Sequence, residues 1–250
     1  MIVISAASGV LGRLVIDRLR TRADVVAAVR DPARAPEGVP VRRGDYDDPA
    51  SLRTAFEGAA RLLLISSPEL DPARRTAHHL AAIAAAVDVG VGAVAYTSFL
   101  DADTVATGMT EAHHATEQAL MRSGLPYTVL RHPFYSDAFV PRVSDGVLAG
   151  STGGRGLNTA FRSDLAEVAA DVLTGEGHEG RAYDLTGPLW THPQLAEALG
   201  VPYREVPDAA PGPMAWLNAR IRTGALERQT PDLERLLGHP AKTMLSHVLP

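Results

Sequence analysis

Two short apolar runs near the start of the chain flank a segment with helical spacing. The first run, Met1–Ile4, stops at small residues, and the second, Val25–Val29, ends at a charged residue. Between them apolar side chains recur every four residues, at Leu11, Val15 and Leu19, as on one face of a helix. The pattern predicts a strand, a tight turn, a helix and a second strand, which is the unit that places a helix N-terminus against a dinucleotide.

The same alternation continues along the chain. Further apolar runs predict strands at Val39–Val41, Leu62–Ser66, Ala93–Thr97, Tyr127–Leu130 and Ala182–Leu185. Helical spacing predicts helices at Pro49–Phe56, Pro72–Val87 and Met109–Met121. Strands that alternate with helices indicate an α/β fold, with a Rossmann-like doubly wound parallel sheet and a small C-terminal substrate lobe.

Glycine and proline suggest where the lobe begins. The glycine-rich segment 146–156 follows no apolar run, so we expect it to be a mobile turn between lobes, and proline becomes frequent beyond Pro188. We therefore assign residues 1–135 to the dinucleotide-binding domain, with its sheet completed by about 157–187. Residues 136–156 and 188–250 are assigned to the substrate-binding lobe.

The turn after the first strand carries part of the glycine fingerprint that lets a pyrophosphate approach a helix. Gly9 and Gly12 stand at two of the expected positions, whereas Ala6 stands at the first. Small residues are needed there because a Cβ collides with the phosphate or the neighbouring strand. We expect Ala6 to keep a negative φ, so that the turn still admits the cofactor. An ordinary strand–helix turn is the alternative.

A basic residue stands at the tip of the second strand. In folds that bind NAD this position carries an acid for the ribose 2′-hydroxyl, whereas Arg30 suits the 2′-phosphate of NADP(H). Arg34 adds a positive charge nearby, and Asp31 lies between them. These charges favour NADP(H) as the cofactor, and a solvated strand end is the alternative.

Composition excludes several kinds of chemistry. The formal net charge of −5 argues against general nucleic-acid binding. The chain has no cysteine, and its single lysine is Lys242, which excludes disulfides, thiolate zinc sites and Schiff-base chemistry in the body of the fold. No apolar stretch reaches the roughly 18 residues of a membrane span. The first apolar run forms a strand rather than an export signal, so we expect a cytoplasmic protein.

Short motifs in a fixed order give the chain a family resemblance. They are Ser8–Gly12, Val29–Pro32, Arg43–Pro49, Leu63–Ser67, Ala95–Ser98, Ala115–Glu117, Gly124–Arg131, Ser163–Ala166 and Tyr183–Thr186. With them the chain resembles the NmrA-like, atypical branch of the short-chain dehydrogenase/reductases. It is most similar to the subgroup of NADPH-dependent quinone oxidoreductases and triphenylmethane reductases.

The resemblance implies roles for individual residues. The cofactor-binding set is Ala6, Ser8, Gly9, Val10, Leu11, Gly12, Arg30, Ser66, Ser67 and His113. The first turn and helix would contact the pyrophosphate, and the two serines the ribose region. Ser98 lies where typical members keep an active-site serine. Met109 and His113, four apart on the predicted helix, stand in place of the Tyr–Lys pair, and His113 would donate to the nicotinamide ribose as lysine does.

The predicted catalytic residues are Ser98, His113, His132 and Tyr135. His132 ends a strand at the sheet edge where doubly wound folds bind ligands, and it replaces an asparagine expected from the resemblance. Tyr135 lies with Phe134 and Phe139 in an aromatic segment that would form a wall for a flat substrate or pack in the core. We expect no metal site, because adjacent histidines such as His78-His79 point about 100° apart on a helix.

Three functions are consistent with these features. The first is NADPH-dependent reduction of a planar conjugated small molecule, either quinone-like or aromatic polyketide-like, by a monomer or homodimer without nucleic-acid or membrane partners. The second is a regulatory protein that senses NADP without turnover. The third is a non-redox cyclase or isomerase on the same scaffold that uses His113 and His132.

Overall fold

Alternating strands and helices extend through the computed structural model, which describes residues 1–138, 143–208 and 212–248. The strands are β1 (Ile2–Ile4), β2 (Val25–Val29), β3 (Val41–Arg43), β4 (Arg61–Leu64), β5 (Val94–Phe99), β6 (Tyr127–His132), β7 (Val143–Ser144), β8 (Val147–Gly150), β9 (Arg181–Asp184) and β10 (Tyr203–Glu205). The helices are α1 (Val10–Leu19), α2 (Pro49–Phe56), α3 (Pro72–Asp88), α4 (Glu111–Arg122), α5 (Arg162–Thr174), α6 (His192–Ala198), α7 (Pro213–Arg222), α8 (Asp232–Leu237) and α9 (Met244–Val248). None of the described helices is long and apolar enough to cross a membrane.

The chain divides into two units. The first comprises Met1–His132 and Leu165–Asp184, and the second comprises Pro133–Asp164 and Leu185–Pro250. The assignment of the second unit as a substrate-binding lobe stays a prediction.

The first unit contains a seven-stranded parallel sheet in the order β3-β2-β1-β4-β5-β6-β9. The chain moves outward from β1 in one direction through β2 and β3, and then in the other direction from β4 onward. The order therefore reverses between β1 and β4, which is where doubly wound folds open a ligand crevice at the carboxyl ends of their strands. The Rossmann-like fold predicted from the sequence is confirmed.

Helices cover both faces of this sheet. Phe56 of α2, Ile83 of α3 and Leu120 of α4 pack with alternate strand residues in one buried cluster. The strand residues between these point to the opposite face, because successive side chains on a strand alternate. On that side α1 and the turn after it are linked to α5 by two ion pairs, Arg18–Glu167 at 2.6 Å and Arg22–Asp171 at 2.8 Å.

Two helices begin as their sequences predict. Asp48 and Asp71 accept backbone N–H groups at the starts of α2 and α3, and a proline follows each aspartate. Proline suits this position because the first helical N–H has no intrahelical partner. The start of α4 differs from the prediction: Met109 lies in a short 3₁₀ turn, Gly108–Thr110, before the helix. Met109 and His113 therefore do not share a helix face.

The second unit contains a three-stranded sheet in the order β10-β8-β7. The strands β7 and β8 form a hairpin around Asp145 and Gly146, whose φ values are 51° and 72°. Two successive positive φ values are typical of the tight hairpin turn that Asp-Gly favours. The prediction of a mobile turn for 146–156 was wrong in its first part, because residues 147–150 form β8. Trp190, Leu148 and Leu195 lie in the buried cluster of this unit.

Candidate functional site

The turn after β1 has the close packing that the glycine fingerprint requires, but not the expected backbone. A Cβ on Gly12 would lie 2.7 Å from the Cα of Ala7, so only glycine fits there. The Gly9 N–H donates to the carbonyl oxygen of Ala6 at 3.0 Å. Ala6 itself has a φ of 46°. The expectation of a negative φ was wrong, since the chain reverses at Ala6 in a left-handed conformation that glycine adopts more easily.

The N-terminus of α1 offers hydrogen-bond donors to a ligand. Gly9 is its N-cap residue and has no side chain that could cap the helix. The first N–H groups, of Val10, Leu11 and Gly12, therefore point beyond the helix end without an intrahelical partner. These donors and the positive end of the helix dipole suit a pyrophosphate.

A cavity of about 370 Å³ opens beside this turn, within the first unit. It is lined by Ala6, Ser8, Arg30, Gly44, Asp45, Tyr46, Asp47, Ser67, Pro68, Glu69, Leu70, Arg74 and His78. The set includes four predicted cofactor-binding residues, from the first turn, the tip of β2 and the loop after β4. They meet because parallel strands end at one edge of the sheet.

Arg30 differs from the other cationic residue of the cavity. Arg74 pairs with Asp47 at 3.1 Å and with Glu69 at 3.3 Å. No ion pair to Arg30 is formed within the described part of the chain, and the Asp31 carboxylate accepts the N–H of Ala33 at 3.0 Å. The cavity therefore contains an arginine without an acidic partner at the position that suits a 2′-phosphate. These residues fit NADP(H).

The two serines predicted near the ribose are held by local hydrogen bonds. The Oγ of Ser67 lies 2.9 Å from Nδ1 of His78, and Nε2 of His78 lies 2.9 Å from Oδ1 of Asp47. The N–H of Ser66 donates to Oγ1 of Thr97 at 2.9 Å. These contacts fix the loop after β4 at the cavity. Contact between either serine and the ribose stays a prediction.

Ser98 and His113 are held between β5 and α4. The Tyr96 hydroxyl lies 2.7 Å from Nδ1 of His113, and the Ser98 hydroxyl donates to Oε1 of Glu117 at 2.6 Å. Tyr96 and Ser98 are two apart on a strand, and His113 and Glu117 are four apart on a helix. Both spacings place side chains on one face, so the two hydrogen bonds form side by side. The donor of Ser98 is consequently directed at Glu117.

Arg131 balances the buried carboxylate of Glu117. Its Nε and Nη2 donate to the two carboxylate oxygens at 3.0 and 2.7 Å, and Nη1 lies 3.2 Å from Asp103 and 3.4 Å from Asp184. Burial opposes the charge of Arg131, but the hydrogen bond and charge of Glu117 raise its pKa above the ordinary value. A single arginine thus joins β6 to β9 and α4.

Three histidines of the first unit, His79, His113 and His132, form what we call the buried histidine group. Their exposed fractions are 0%, 4% and 1%. Burial lowers the pKa of His79 to about 2, and lowers the pKa of His113 and of His132 to about 3. The dry surroundings disfavour the charged imidazolium, so all three rings are neutral near pH 7.

Tyr135 belongs to the second unit. The guanidinium of Arg162 lies 5.2 Å from the centre of its ring, and Arg162 also pairs with Asp137 at 2.7 Å. Phe134 packs against the buried cluster of this unit, as the core alternative expected. Phe139 lies outside the described residues. Tyr135 stays a predicted site residue.

The sequence interpretation missed Tyr96 and Glu117, and treated His79 only as half of a histidine pair. Tyr96 precedes Ser98 by two positions, and Glu117 follows His113 by four. Both spacings were visible in the sequence. The contacts themselves depend on how α4 packs on β5, which no local pattern gives.

Comparisons with known proteins agree with this geometry. Residues 6–176 match a protein family described as NAD(P)H-binding. The chain is 36% identical to quinone oxidoreductase 2 of Escherichia coli, over 99% of this chain and 97% of that protein. The E. coli quinone oxidoreductase solved with NADPH has a TM-score of 0.90 at 35% identity, covering 99% of this chain and 98% of that one.

Two further structures extend the comparison. Citrobacter sp. triphenylmethane reductase complexed with NADP(H) has a TM-score of 0.90 at 32% identity, with all of both chains covered. NmrA, a negative transcriptional regulator solved with NADP, has a TM-score of 0.77 over 99% of this chain and 94% of that one. At 15% identity, the likeness to NmrA concerns the fold alone. The chain therefore belongs to the NAD(P)H-binding family, as an oxidoreductase whose cofactor is NADP(H).

Proposed function

We propose that this protein is an NADPH-dependent reductase of a planar conjugated small molecule, quinone-like or aromatic polyketide-like. The observation that carries the proposal is the Arg30 guanidinium, which lines the cavity without an acidic partner among the described residues. Arg30 would pair with the 2′-phosphate, and the N–H groups that begin α1 would receive the pyrophosphate. The names of the related quinone and triphenylmethane reductases support this substrate class.

The chemistry requires little from the side chains. NADPH supplies a hydride when it is bound. Hydride addition to a quinone-like acceptor leaves negative charge on an oxygen, which hydrogen-bond donors stabilise while solvent supplies the proton. His113 and His132 are neutral and can act as such donors. Their pKa values near 3 make them poor proton-transfer groups near neutral pH. This argues against the cyclase or isomerase alternative, which needs both as acid and base.

His132 is the proposed donor to the acceptor oxygen. It ends β6 at the carboxyl edge of the sheet and is 1% exposed. Ser98 lies on the neighbouring strand, and its proton is directed at Glu117, so it offers an acceptor rather than a donor. If His132 donates to the oxyanion, His132→Ala lowers kcat by about 10²-fold. If it only packs, the same change lowers thermal stability and leaves turnover per folded molecule nearly intact.

Cofactor preference tests the role of Arg30. Affinities for NADPH and NADH are measured by fluorescence titration of the unaltered protein, Arg30→Ala and Arg74→Ala. A charge-assisted contact to phosphate predicts roughly a tenfold or larger preference for NADPH, which Arg30→Ala abolishes. Arg74→Ala is the matched control, because it removes a cavity arginine already paired with two acids. Equal affinities for the two cofactors in the unaltered protein contradict the assignment.

Turnover tests the reductase itself. Loss of NADPH absorbance is followed with a panel of quinones and triphenylmethane dyes, using an acceptor without conjugation as the negative control. Consumption of NADPH supports the proposed reductase. Tight binding without consumption by any acceptor supports an NADP-sensing protein instead, and absence of binding supports a non-redox enzyme.

A further inference from the structure

A line of hydrogen bonds passes through the buried layer of the first unit beside His113. It begins at the N–H of Ser67 in the loop after β4, reaches His79 of α3, and continues to Thr116 of α4. The Tyr96 hydroxyl of β5 lies beside it, 3.4 Å from Nδ1 of His79 and 2.7 Å from Nδ1 of His113. The four side chains are at most 4% exposed. The placement of each proton therefore follows from the protein groups themselves.

The proton of His79 is fixed by its backbone neighbour. The Ser67 N–H donates to Nε2 of His79 at 2.9 Å, so Nε2 carries no proton. A neutral imidazole has one N–H, which must then be at Nδ1. Nδ1 lies 2.8 Å from Oγ1 of Thr116, whose own hydroxyl donates to the carbonyl oxygen of Ala112 at 2.6 Å. His79 thus donates to Thr116 and presents no lone pair to Tyr96.

The proton of Tyr96 is fixed in turn. Because Nδ1 of His79 is protonated, it cannot accept from the Tyr96 hydroxyl. Two acceptors remain, Nδ1 of His113 at 2.7 Å and the Thr116 hydroxyl oxygen, which already accepts the N–H of His79. An unprotonated imidazole nitrogen is a stronger acceptor than a hydroxyl oxygen, so we assign the proton of Tyr96 to His113. The single N–H of neutral His113 must then be at Nε2. Burial is the main obstacle to a second proton on this ring, and the positive charge of Arg75 acts in the same direction.

We propose that Tyr96, oriented by His79, is a positioning residue that keeps His113 as the tautomer protonated at Nε2. The proposal rests on the proposed function and on the role that the family resemblance implies for His113, in place of a lysine that donates to the nicotinamide ribose. A lysine ammonium only donates hydrogen bonds, whereas a neutral histidine presents either an N–H or a lone pair. Tyr96 and His79 thereby keep the N–H at Nε2 of His113, whereas a neutral histidine by itself can carry its proton on either nitrogen.

The tautomer is measured directly by NMR of protein labelled with ¹⁵N-histidine, without cofactor or turnover. The His113 signals are assigned by their loss in His113→Gln. In the unaltered protein we expect Nε2 of His113 to be protonated and Nδ1 to be bare. In Tyr96→Phe, which keeps the ring and removes the hydroxyl, we expect a mixture of both tautomers.

Tyr183→Phe is the matched control, because the Tyr183 hydroxyl lies 2.9 Å from Nδ1 of His178 elsewhere in the same unit. It removes the same kind of hydrogen bond and should leave the His113 signals unchanged. Protonation of His113 at Nδ1 in the unaltered protein overturns the proposal, even if no variant folds. An unchanged His113 tautomer in Tyr96→Phe also overturns it.

Binding separates this inference from the proposed function. Loss of one oriented donor raises the Kd for NADPH about two- to tenfold in Tyr96→Phe, and the Tyr183→Phe control should keep the original Kd. If His113→Gln changes neither NADPH binding nor turnover, the proposed role of His113 fails, while the NMR result still decides how its proton is placed. If His113→Gln weakens binding and Tyr96→Phe does not, the positioning role of Tyr96 fails alone.

Discussion

Replacing Ala6 by glycine should stabilise this protein. Ala6 has a φ of 46°, in a left-handed region that costs an L-residue about 1–2 kcal/mol. Glycine adopts this conformation without that cost, but it also gains conformational freedom in the unfolded chain. That freedom offsets about 0.4–1 kcal/mol of the gain. At the middle of both ranges, the net increase in the free energy of unfolding is about 0.8 kcal/mol.

The effect is measurable in two assays. For a chain of 250 residues, a change of this size corresponds to a rise in Tm of about 1–4 °C. Urea titration gives the free energy of unfolding independently. NADPH affinity should change by less than tenfold, because the backbone already has the reversed conformation. A larger gain in affinity would show that the alanine methyl group weakens the cofactor site.

The neighbouring alanine provides the control. Ala7 is fully buried and does not have a positive φ, so Ala7→Gly removes a packed methyl group and adds unfolded-state entropy. It should lower the free energy of unfolding by about 1 kcal/mol. If Ala6→Gly and Ala7→Gly destabilise the protein equally, the reasoning from backbone strain is refuted.

Three further predictions follow from buried contacts. Gly12→Ala places a Cβ 2.7 Å from a backbone carbon and should lower the free energy of unfolding by about 1–3 kcal/mol in urea titrations, whereas unchanged stability would contradict the close packing. Arg131→Met leaves Glu117 buried without its main partner and should cost about 3–5 kcal/mol by the same assay, and the double variant Arg131→Met/Glu117→Leu should recover most of that loss. In the folded protein the buried histidine group has pKa values of about 2 to 3, below the ordinary value of 6.5. Its contribution to the free energy of unfolding is therefore complete above pH 6.5 and decreases as the pH falls toward 3. Each of these histidines should then reduce the free energy of unfolding by about 1.4 kcal/mol per pH unit, and equal stability at about pH 7 and pH 5 would be inconsistent with neutral buried rings.

The sequence by itself determined the features that depend on near neighbours. Helix α2 begins at Pro49 after Asp48 because the carboxylate and the proline ring act on the first helical turn alone. The strand–turn–helix order, with Gly9 and Gly12, predicted where a dinucleotide binds, and Arg30 at the end of β2 predicted which dinucleotide. Each signal is contained within a few residues, so it is readable without the fold.

The tertiary structure alone decided how the site residues are paired. Whether Ser98 offers its proton to a ligand depends on Glu117, nineteen positions away, and that contact exists because α4 packs on β5. The proton of His113 depends on Tyr96 in the same way. The backbone of Ala6 is also a tertiary result, because Gly12 of α1 packs directly against Ala7 in the same turn. Hydrophobic spacing indicates which face of each element is buried. The partner of a buried polar group depends instead on the register between two elements. That register is set only when the whole sheet and its helices pack together.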